Sequence, residues 1–300
     1  MPRVLCVIPV RNRPHFVQEA IASVLAQRYA DHGLVVVDDG SEDETAAVAE
    51  DAVQDAAIAA TVLRRAHAGV AAARNAGVAA VDSAWIAFLD SDDLWLDTKL
   101  VRQMAWIDAH PAYRLTQTAE RWIDDGRHRN PRNWHRKEER LFPRCLERCL
   151  VSPSAVAIRR DAYEELGGFD ESFPVCEDYE LWLRVALDEP VGLVEEQLVV
   201  KRGGHADQLS RSRWGLDRYR VAALVKLLHQ RPLEPEARAA VLRVLDAKCA
   251  LLAGGAARRG RHDEADRYRA LAAGAHDLAV PCDAGVSRRS HARAAVGGWE

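Results

Sequence analysis

Three carboxylates lie within four positions directly after an apolar run, in the segment Trp85–Asp93. Trp85 to Leu89 has the composition of a buried strand, and Asp90, Asp92 and Asp93 follow at once. Like charges this close repel one another, and burying them is costly unless a cation lies among them. Aspartate oxygens suit hard divalent cations such as Mg²⁺ and Mn²⁺, which share their coordination shell with phosphate oxygens. The segment therefore indicates a metal–phosphate site or, alternatively, a solvated acidic turn that caps the next helix.

The elements that must position these carboxylates alternate regularly from Val4 to Leu89. Short apolar runs without polar alternation are typical of strands buried on both faces, and stretches of helical periodicity separate them. The predicted strands are Val4 to Pro9, Leu34 to Val37, Thr61 to Leu63 and Trp85 to Leu89. The predicted helices are Pro14 to Gln27, Glu42 to Ala60 and Val70 to Val81. The pattern predicts an α/β fold with a mostly parallel central sheet.

Polar groups follow each of these strands at the point where the strand ends. Because ligands of parallel sheets bind at the carboxyl ends of the strands, we expect these groups to form one binding rim. The rim residues are Pro9, Val10, Arg11, Asn12, Asp39, Gly69, Asp90, Ser91 and Asp92. For Asp38 and Asp39 the alternative is capping of the next helix, which is compatible with ligand binding.

The second half of the chain is less regular. Leu94 to Ala109 and Leu141 to Leu150 are predicted to be helical, and Tyr113 to Trp122 is a candidate strand. The basic stretch from Arg127 to Arg140 has the composition of a nucleic-acid patch, but its acidic neighbours favour an active-site loop. From Leu216 onward, three Ala-, Leu- and Arg-rich stretches have helical periodicity without intervening strands.

Several blocks, taken in order along the chain, resemble the family 2 glycosyltransferases, which have the GT-A fold. The blocks are VIPVRNRP (7–14), VVVDDGSEDET (35–45), HAGVAAARNAGVAAVDSAWIAFLDSDD (67–93), GGFDESFPVCEDYELWLRVA (167–186) and, more weakly, RGGHADQLS (202–210). The resemblance implies an inverting enzyme that moves a sugar from a nucleoside diphosphate sugar, with UDP as the first expectation. The acceptor would be a hydroxyl of a glycan, a lipid-linked saccharide or a small molecule.

The resemblance also assigns roles to the donor side of the site. Asp39 would accept a hydrogen bond from a base N–H, Gly69 would allow close backbone approach, and Arg74 would meet nucleotide or phosphate; the alternative for Arg74 is a surface salt bridge. The nucleoside cradle would consist of Pro9, Val10, Arg11 and Asn12.

The metal and the base are assigned in the same way. Asp90-Ser91-Asp92 matches the DXD motif of the family, so Asp92 would bind Mn²⁺ or Mg²⁺ and Asp90 would hold the metal or the ribose. His205 is a further candidate metal ligand. Asp178 would be the general base that takes the proton of the acceptor hydroxyl, with Glu177 in a supporting role. Helix capping is the alternative for Glu177 and Asp178.

Other enzyme classes fit the sequence less well. A sugar nucleotidyltransferase usually has a Gly-rich loop after its first strand, where this chain has Pro9 to Pro14. A non-catalytic nucleotide- or glycan-binding module on the same fold would not need the acidic residues that are intact here. No G-x-G-x-x-G follows the first strand, which disfavours a Rossmann dehydrogenase.

Composition limits the partners and the location. The net charge of −4 over 300 residues gives no reason to expect nucleic-acid binding. No apolar run approaches the roughly 20 residues of a membrane-spanning helix, and the N-terminus lacks the features of a signal peptide. The six cysteines show no zinc-binding spacing. We therefore expect a cytoplasmic protein.

The resulting organisation has three parts. Residues 1–212 form the catalytic domain, with a nucleotide-sugar half (1–93) and an acceptor half (94–212). Residues 213–275 form a helical appendage, and residues 276–300 a disordered tail. Ordinary packing against the catalytic domain is the favoured role of the appendage, while peripheral membrane contact and dimerisation stay open.

Overall fold

The parallel half of the sheet is built from the four apolar runs identified in the sequence. The computed structural model describes residues 1–124, 126–129, 137–204 and 215–278. In it the runs form β1 (Val4–Val10), β2 (His32–Asp39), β3 (Ala60–Arg65) and β4 (Trp85–Phe88). They lie in the order β3-β2-β1-β4, and each neighbouring pair is parallel. Every residue of β1, β2 and β4 is buried, as expected for strands covered on both faces.

Helices cover both faces of this half. Helices α1 (Pro14–Leu25) and α2 (Thr45–Val53) share a core with one set of β1 side chains, and α3 (Val70–Ala80) shares a core with the alternate set. The close approach of α3 depends on Gly77, because a Cβ atom there would lie 2.5 Å from a Val7 methyl group. The alternation of β1 side chains between two cores follows from the two-residue period of a strand.

The second half of the sheet is mixed. Its order continues β8-β6-β9-β5, with β7 paired to β6, so that nine strands form one sheet within the described ranges. Only the β6–β9 pair is parallel among the described pairs that involve these strands. The strands are β5 (Leu94–Trp95), β6 (Leu115–Asp124), β7 (Arg127–Arg129), β8 (Val156–Arg159) and β9 (Gly192–Gly203). The predicted α/β fold with a mostly parallel central sheet is confirmed.

Two helix predictions for this half are wrong: one helix begins later than predicted, and the other α-helix does not form. The helix predicted over Leu94 to Ala109 begins only at Lys99 (α4, Lys99–Ala109), because Leu94–Trp95 pair with β9 instead. The segment Leu141 to Leu150 forms turns and a short 3-10 helix rather than an α-helix. Pro143 lies within it, and a proline lacks the N–H that a helix interior requires. The remaining helices of this half are α5 (Arg160–Leu166) and α6 (Glu177–Asp188).

The C-terminal helices pack on helix α6. They are α7 (Leu216–Gln230), α8 (Pro235–Arg258) and α9 (His262–His276), and they share one hydrophobic core with α6. Lys226 of α7 adds ion pairs, since its Nζ lies 2.6 Å from carboxylate oxygens of both Asp170 and Glu180. These helices confirm the predicted helical C-terminal region, while its division from the catalytic domain at residue 213 stays a prediction. Within the described ranges, none of the helices combines the length and apolarity needed to span a bilayer.

Candidate active site

A cavity of about 380 Å³ opens at the carboxyl ends of β1 and β4 and extends between the two halves of the sheet. Asp90, Asp92 and Asp93 line one wall, and Glu177 and Asp178 line another. Two acidic motifs that lie more than eighty positions apart in the sequence therefore face one space. Polar groups that converge in a large cleft mark the default location of an active site.

The three aspartates after β4 are close enough to share a cation. One carboxylate oxygen from each of Asp90, Asp92 and Asp93 lies within 4.8 Å of the others. An all-oxygen, carboxylate donor set is the one that Mg²⁺ and Mn²⁺ favour, so these residues fit such an ion. A side chain also compensates part of their charge, because Arg13 Nη1 lies 3.0 Å from Asp92 Oδ2.

Arg74 joins the two acidic motifs. Its buried guanidinium donates from Nη1 to Glu177 Oε1 (2.6 Å) and from Nη2 to Asp90 Oδ1 (2.7 Å). Arg74 and Glu177 are both buried, so their ion pair is not the surface salt bridge considered as the alternative role of Arg74. Burial raises the pKa of Glu177 to about 7 although Arg74 opposes the shift. Burial also acts to raise the pKa of Asp90, but Arg74 and Lys201 outweigh it and hold that pKa below its ordinary value.

Asp93 ties the acidic loop to the mixed half of the sheet. Its Oδ2 accepts hydrogen bonds from Ser154 Oγ (2.6 Å) and Lys201 Nζ (3.1 Å), and its Oδ1 accepts one from the backbone N–H of Arg202 (2.9 Å). Lys201 also donates to Ser152 Oγ. Burial raises the pKa of Asp93 to about 7 against the opposing effect of Lys201. Both oxygens of Asp93 therefore already have hydrogen-bond donors.

Glu177 and Asp178 differ in access although they are adjacent. Glu177 is buried and bound to Arg74, whereas Asp178 is half-buried and faces the cavity at the first turn of α6. Asp178 Oδ1 accepts a hydrogen bond from the Tyr179 N–H (2.6 Å), and its Oδ2 lies 3.4 Å from Cys149 Sγ. Asp178 therefore bonds to the backbone at the start of α6 and also faces the cavity.

Asp39, a residue of the predicted binding rim, accepts hydrogen bonds from backbone N–H groups. Asp39 accepts from the N–H groups of Ala68 (3.0 Å) and Gly69 (2.8 Å), and His67 Nδ1 lies 2.7 Å from its Oδ2. Asp39 therefore fixes the turn that begins α3. Gly69 has a φ of +96°, in the left-handed region that favours glycine.

The loops after β1 and β2 are tied together. The Asn12 N–H donates to Ser41 Oγ, and its Oδ1 accepts from the Glu42 N–H, both at 2.9 Å. Arg11 Nε donates to the Gly40 carbonyl at 3.4 Å. These loops form a structured edge beside the cavity.

The structure thus places most of the predicted site residues in two groups. Those that line the cavity are Pro9, Arg74, Asp90, Ser91, Asp92, Glu177 and Asp178. Those along the adjoining strand ends are Val10, Arg11, Asn12, Asp39 and Gly69. His205 lies outside the described residues.

Among the residues that line the cavity without having been predicted, five differ in the signal that the sequence gave for them. Arg13 is adjacent to the predicted cradle, and Lys137 belongs to the basic stretch, so both had a local signal. Glu120 is an isolated acid in a strand-like segment, which is a weaker signal, and neither Trp122 nor Cys149 has one. These five residues are Arg13, Glu120, Trp122, Lys137 and Cys149.

Comparison with known proteins agrees with this geometry. A model of the family described as "Glycosyl transferase family 2" matches residues 5–167. The chain is 27% identical over 204 residues to an uncharacterized glycosyltransferase of Rickettsia felis, which covers 65% of this chain and 32% of that protein. It is 25% identical over 192 residues to the putative glycosyltransferase EpsE of Bacillus subtilis, covering 61% of this chain and 66% of that one. The chain therefore spans about a third of the length of the Rickettsia felis relative.

Solved structures share the fold. Residues 1–349 of S. aureus TarS, in complex with UDP-GlcNAc, superpose with a TM-score of 0.64 at 16% identity, covering 92% of each chain. The mannosyltransferase PcManGT of Pyrobaculum calidifontis, in complex with GDP-Man and Mn²⁺, gives a TM-score of 0.60 at 18% identity. That comparison covers 91% of this chain and 86% of the other.

Proposed function

This chain belongs to glycosyl transferase family 2, and from that premise we propose that it transfers a sugar from a nucleoside diphosphate sugar to an acceptor hydroxyl, with inversion at the anomeric carbon. One observation carries the proposal. Asp178, which faces the cavity at the start of α6, shares that cavity with Asp90 and Asp92. This arrangement supports a base for the acceptor at Asp178 and a site for the donor diphosphate at Asp90 and Asp92 within one cavity.

The donor side uses the ends of the parallel strands. Asp39 and Gly69 hold the turn before α3 beside the cavity, where a nucleobase would lie. The rest of the nucleoside cradle is assigned to Pro9, Val10, Arg11 and Asn12. UDP is the first nucleotide to test, because TarS holds UDP-GlcNAc on the same fold.

The diphosphate would lie over the acidic loop. Asp90 and Asp92 would hold Mn²⁺ or Mg²⁺, which neutralises negative charge on a departing nucleoside diphosphate. His205 is assigned to the same ion from the sequence alone. Arg13, which pairs with Asp92, lines the cavity and is placed to contact a phosphate oxygen. Arg74 contributes by aligning Asp90 with Glu177.

Asp178 acts as the general base. Its carboxylate accepts the proton of the acceptor hydroxyl as that oxygen bonds to the anomeric carbon, and the nucleoside diphosphate leaves from the opposite face. A single displacement of this kind needs one base and inverts the configuration. Glu177 is committed to Arg74, so its role is to hold the first turn of α6 in place. The acceptor is a saccharide or another hydroxyl compound met in the cytoplasm.

A donor screen tests the proposal. Purified protein is incubated with a panel of UDP-, GDP- and dTDP-sugars in Mn²⁺, with and without a chelator, and release of the nucleoside diphosphate and transfer to mono- and oligosaccharide acceptors are measured. Turnover of at least one donor, lost with the chelator, and a product of inverted configuration are expected. A protein that binds nucleotide sugars without turnover would be a binding module, and formation of nucleotide sugar from a sugar phosphate would indicate a nucleotidyltransferase; either result contradicts the proposal.

A further inference from the structure

Glu120 is a buried carboxylate in the cavity wall that the donor and base assignments leave without a role. It lies on β6, is 7% exposed, and lines the cavity beside Trp122, Lys137 and Ser152. Burying a carboxylate is costly unless counter-charges and hydrogen-bond donors satisfy it. Its surroundings therefore decide what it can bind.

Those surroundings keep Glu120 ionised and leave one buried oxygen without a hydrogen bond. Oε2 accepts a hydrogen bond from Trp122 Nε1 (3.1 Å), and Oε1 lies 3.5 Å from Lys137 Nζ, an ion pair without hydrogen-bond geometry. Oε1 is buried, and among the described residues it has no hydrogen-bond partner. Burial acts to raise the pKa of Glu120, but Lys137 and Lys201 outweigh it and hold that pKa below its ordinary value. The cavity wall thus contains an ionised carboxylate with one acceptor oxygen unsatisfied.

The strand is irregular at this position. The pairing of β6 with β9 shifts register on both sides of Ala119, immediately before Glu120. Such bulges are common beside active sites, where they redirect side chains. The irregularity coincides with the point at which β6 places a carboxylate in the wall of the cavity.

Glu120 lines the same cavity as the acidic loop over which the donor diphosphate would lie. Lys201, one of its compensating cations, is 3.1 Å from Asp93 and 3.8 Å from Asp90. A sugar attached to the second phosphate would extend from the acidic loop toward this wall. Sugar hydroxyls are hydrogen-bond donors that a carboxylate accepts, and the Trp122 indole offers an apolar surface for a sugar ring.

On the basis of the proposed function, we infer that Glu120 accepts hydrogen bonds from hydroxyl groups of the donor's sugar ring and thereby selects the sugar that is transferred. Glu120 is then a specificity-determining residue. Trp122 and Lys137 hold its carboxylate in place.

Titration calorimetry in Mn²⁺ without acceptor tests the assignment. The probes are UDP with UDP-GlcNAc, and GDP with GDP-Man. Glu120→Gln should weaken binding of the nucleotide sugar by about 10- to 100-fold, as expected for a hydrogen bond to a charged group, and change binding of the nucleoside diphosphate by less than about twofold. Glu196→Gln is the matched control, because Glu196 is an exposed β9 residue paired only at 3.4 Å with Arg102.

A second measurement separates contact from structural support. A deoxy analogue of the bound sugar that lacks the recognised hydroxyl should bind wild type as weakly as Glu120→Gln binds the full sugar. That variant should lose little more with the analogue. Glu120→Asp, which keeps the charge, should recover part of the preference and serves if Glu120→Gln fails to fold.

The outcomes are distinct. Equal losses for nucleotide and nucleotide sugar, or unchanged affinity for both, would overturn the inference while wild-type turnover leaves the proposed function intact. Failure of wild type to bind any nucleotide sugar would overturn both. A selective loss for the nucleotide sugar supports the assignment.

Discussion

The two halves of the sheet treat buried polar groups in opposite ways. In the parallel half, β1 and β4 contain only apolar residues, and the buried polar residues of β2 are its first residue, His32, and its last two, Asp38 and Asp39. In the mixed half, β6 buries Thr116, Gln117, Thr118 and Glu120 within its length. The parallel half is a platform whose chemistry is confined to its edge, while the mixed half carries polar groups in the cavity wall. The difference suggests that donor binding belongs to the first and discrimination between sugars to the second.

Arg74 links the halves, and its removal should have the largest effect on stability. Arg74→Met leaves the Glu177 carboxylate buried without its counter-charge and leaves Asp90 with Lys201 at 3.8 Å, which should lower the free energy of unfolding by about 3–5 kcal/mol. Urea denaturation measures the loss, and Arg74→Met combined with Glu177→Gln should recover part of it. Arg64→Met removes an exposed pair with Glu50 and should lower the free energy of unfolding far less. Equal losses for the two single variants would contradict the linking role.

Two buried lysines sharpen the comparison. Burial acts to lower the pKa of Lys201, but Asp93 and Asp90 outweigh it and raise that pKa. Lys99 is fully buried beside the Trp95 ring, and among the described residues its Nζ has no hydrogen-bond partner. Burial lowers the pKa of Lys99 to about 7. Lys99 lies away from the cavity and therefore lacks, among the described residues, carboxylate partners such as those that Lys201 has within the cavity.

Lys99→Met should consequently stabilise the protein and flatten its pH dependence. Between pH 7 and pH 10 the unfolded chain holds the Lys99 proton and the folded chain does not, so wild-type stability should rise with pH in this window. At pH 7 the variant should exceed wild type by about 2–4 kcal/mol, and the gain should shrink as pH rises. Urea midpoints at three pH values measure this difference. A gain that does not change with pH would contradict the buried, uncompensated charge.

Two helical glycines give the smallest effects and opposite signs. Gly77→Ala places a Cβ atom 2.5 Å from Val7 and 3.0 Å from Val37, so it should destabilise the parallel half by about 1–3 kcal/mol. Gly274→Ala lies in α9 with nothing within 4 Å of the added atom, and should stabilise by about 0.5–1 kcal/mol. Thermal unfolding of both variants measures the contrast. A neutral Gly77→Ala would mean that α3 can move away from the sheet.

The same contrast explains what could be predicted from the sequence. The parallel half was predictable because continuous apolar runs, helical periodicity and the polar residues after each strand are all local signals. The carboxylates at Asp90–Asp92 were noticed for the same reason, whereas Glu177–Asp178 was assigned through the resemblance to the family. The roles of these residues and the assignment of a metal to them stay predictions, which Asp178→Asn and Asp92→Ala test.

The mixed half depends on contacts between distant segments, which local patterns do not encode. The pairing of β5 with β9 and the bonds from Lys201 and Ser154 to Asp93 join residues more than sixty positions apart. No α-helix forms over Leu141 to Leu150, because Pro143 lies within the segment. The proline is visible in the sequence, but the apolar spacing favoured a helix. Glu120 could be noticed in the sequence, but its place in the cavity wall depends on the register of β6 with β9.

The most direct test of the account compares donor binding with transfer in two variants. Asp178→Asn should bind the donor found in the screen within about twofold of wild type, while its transfer rate falls by about 10²- to 10⁴-fold. Asp92→Ala should lose donor affinity in Mn²⁺ together with transfer. Full transfer by Asp178→Asn, or equal losses of donor affinity in both variants, would contradict the division of the cavity into a donor wall and a base.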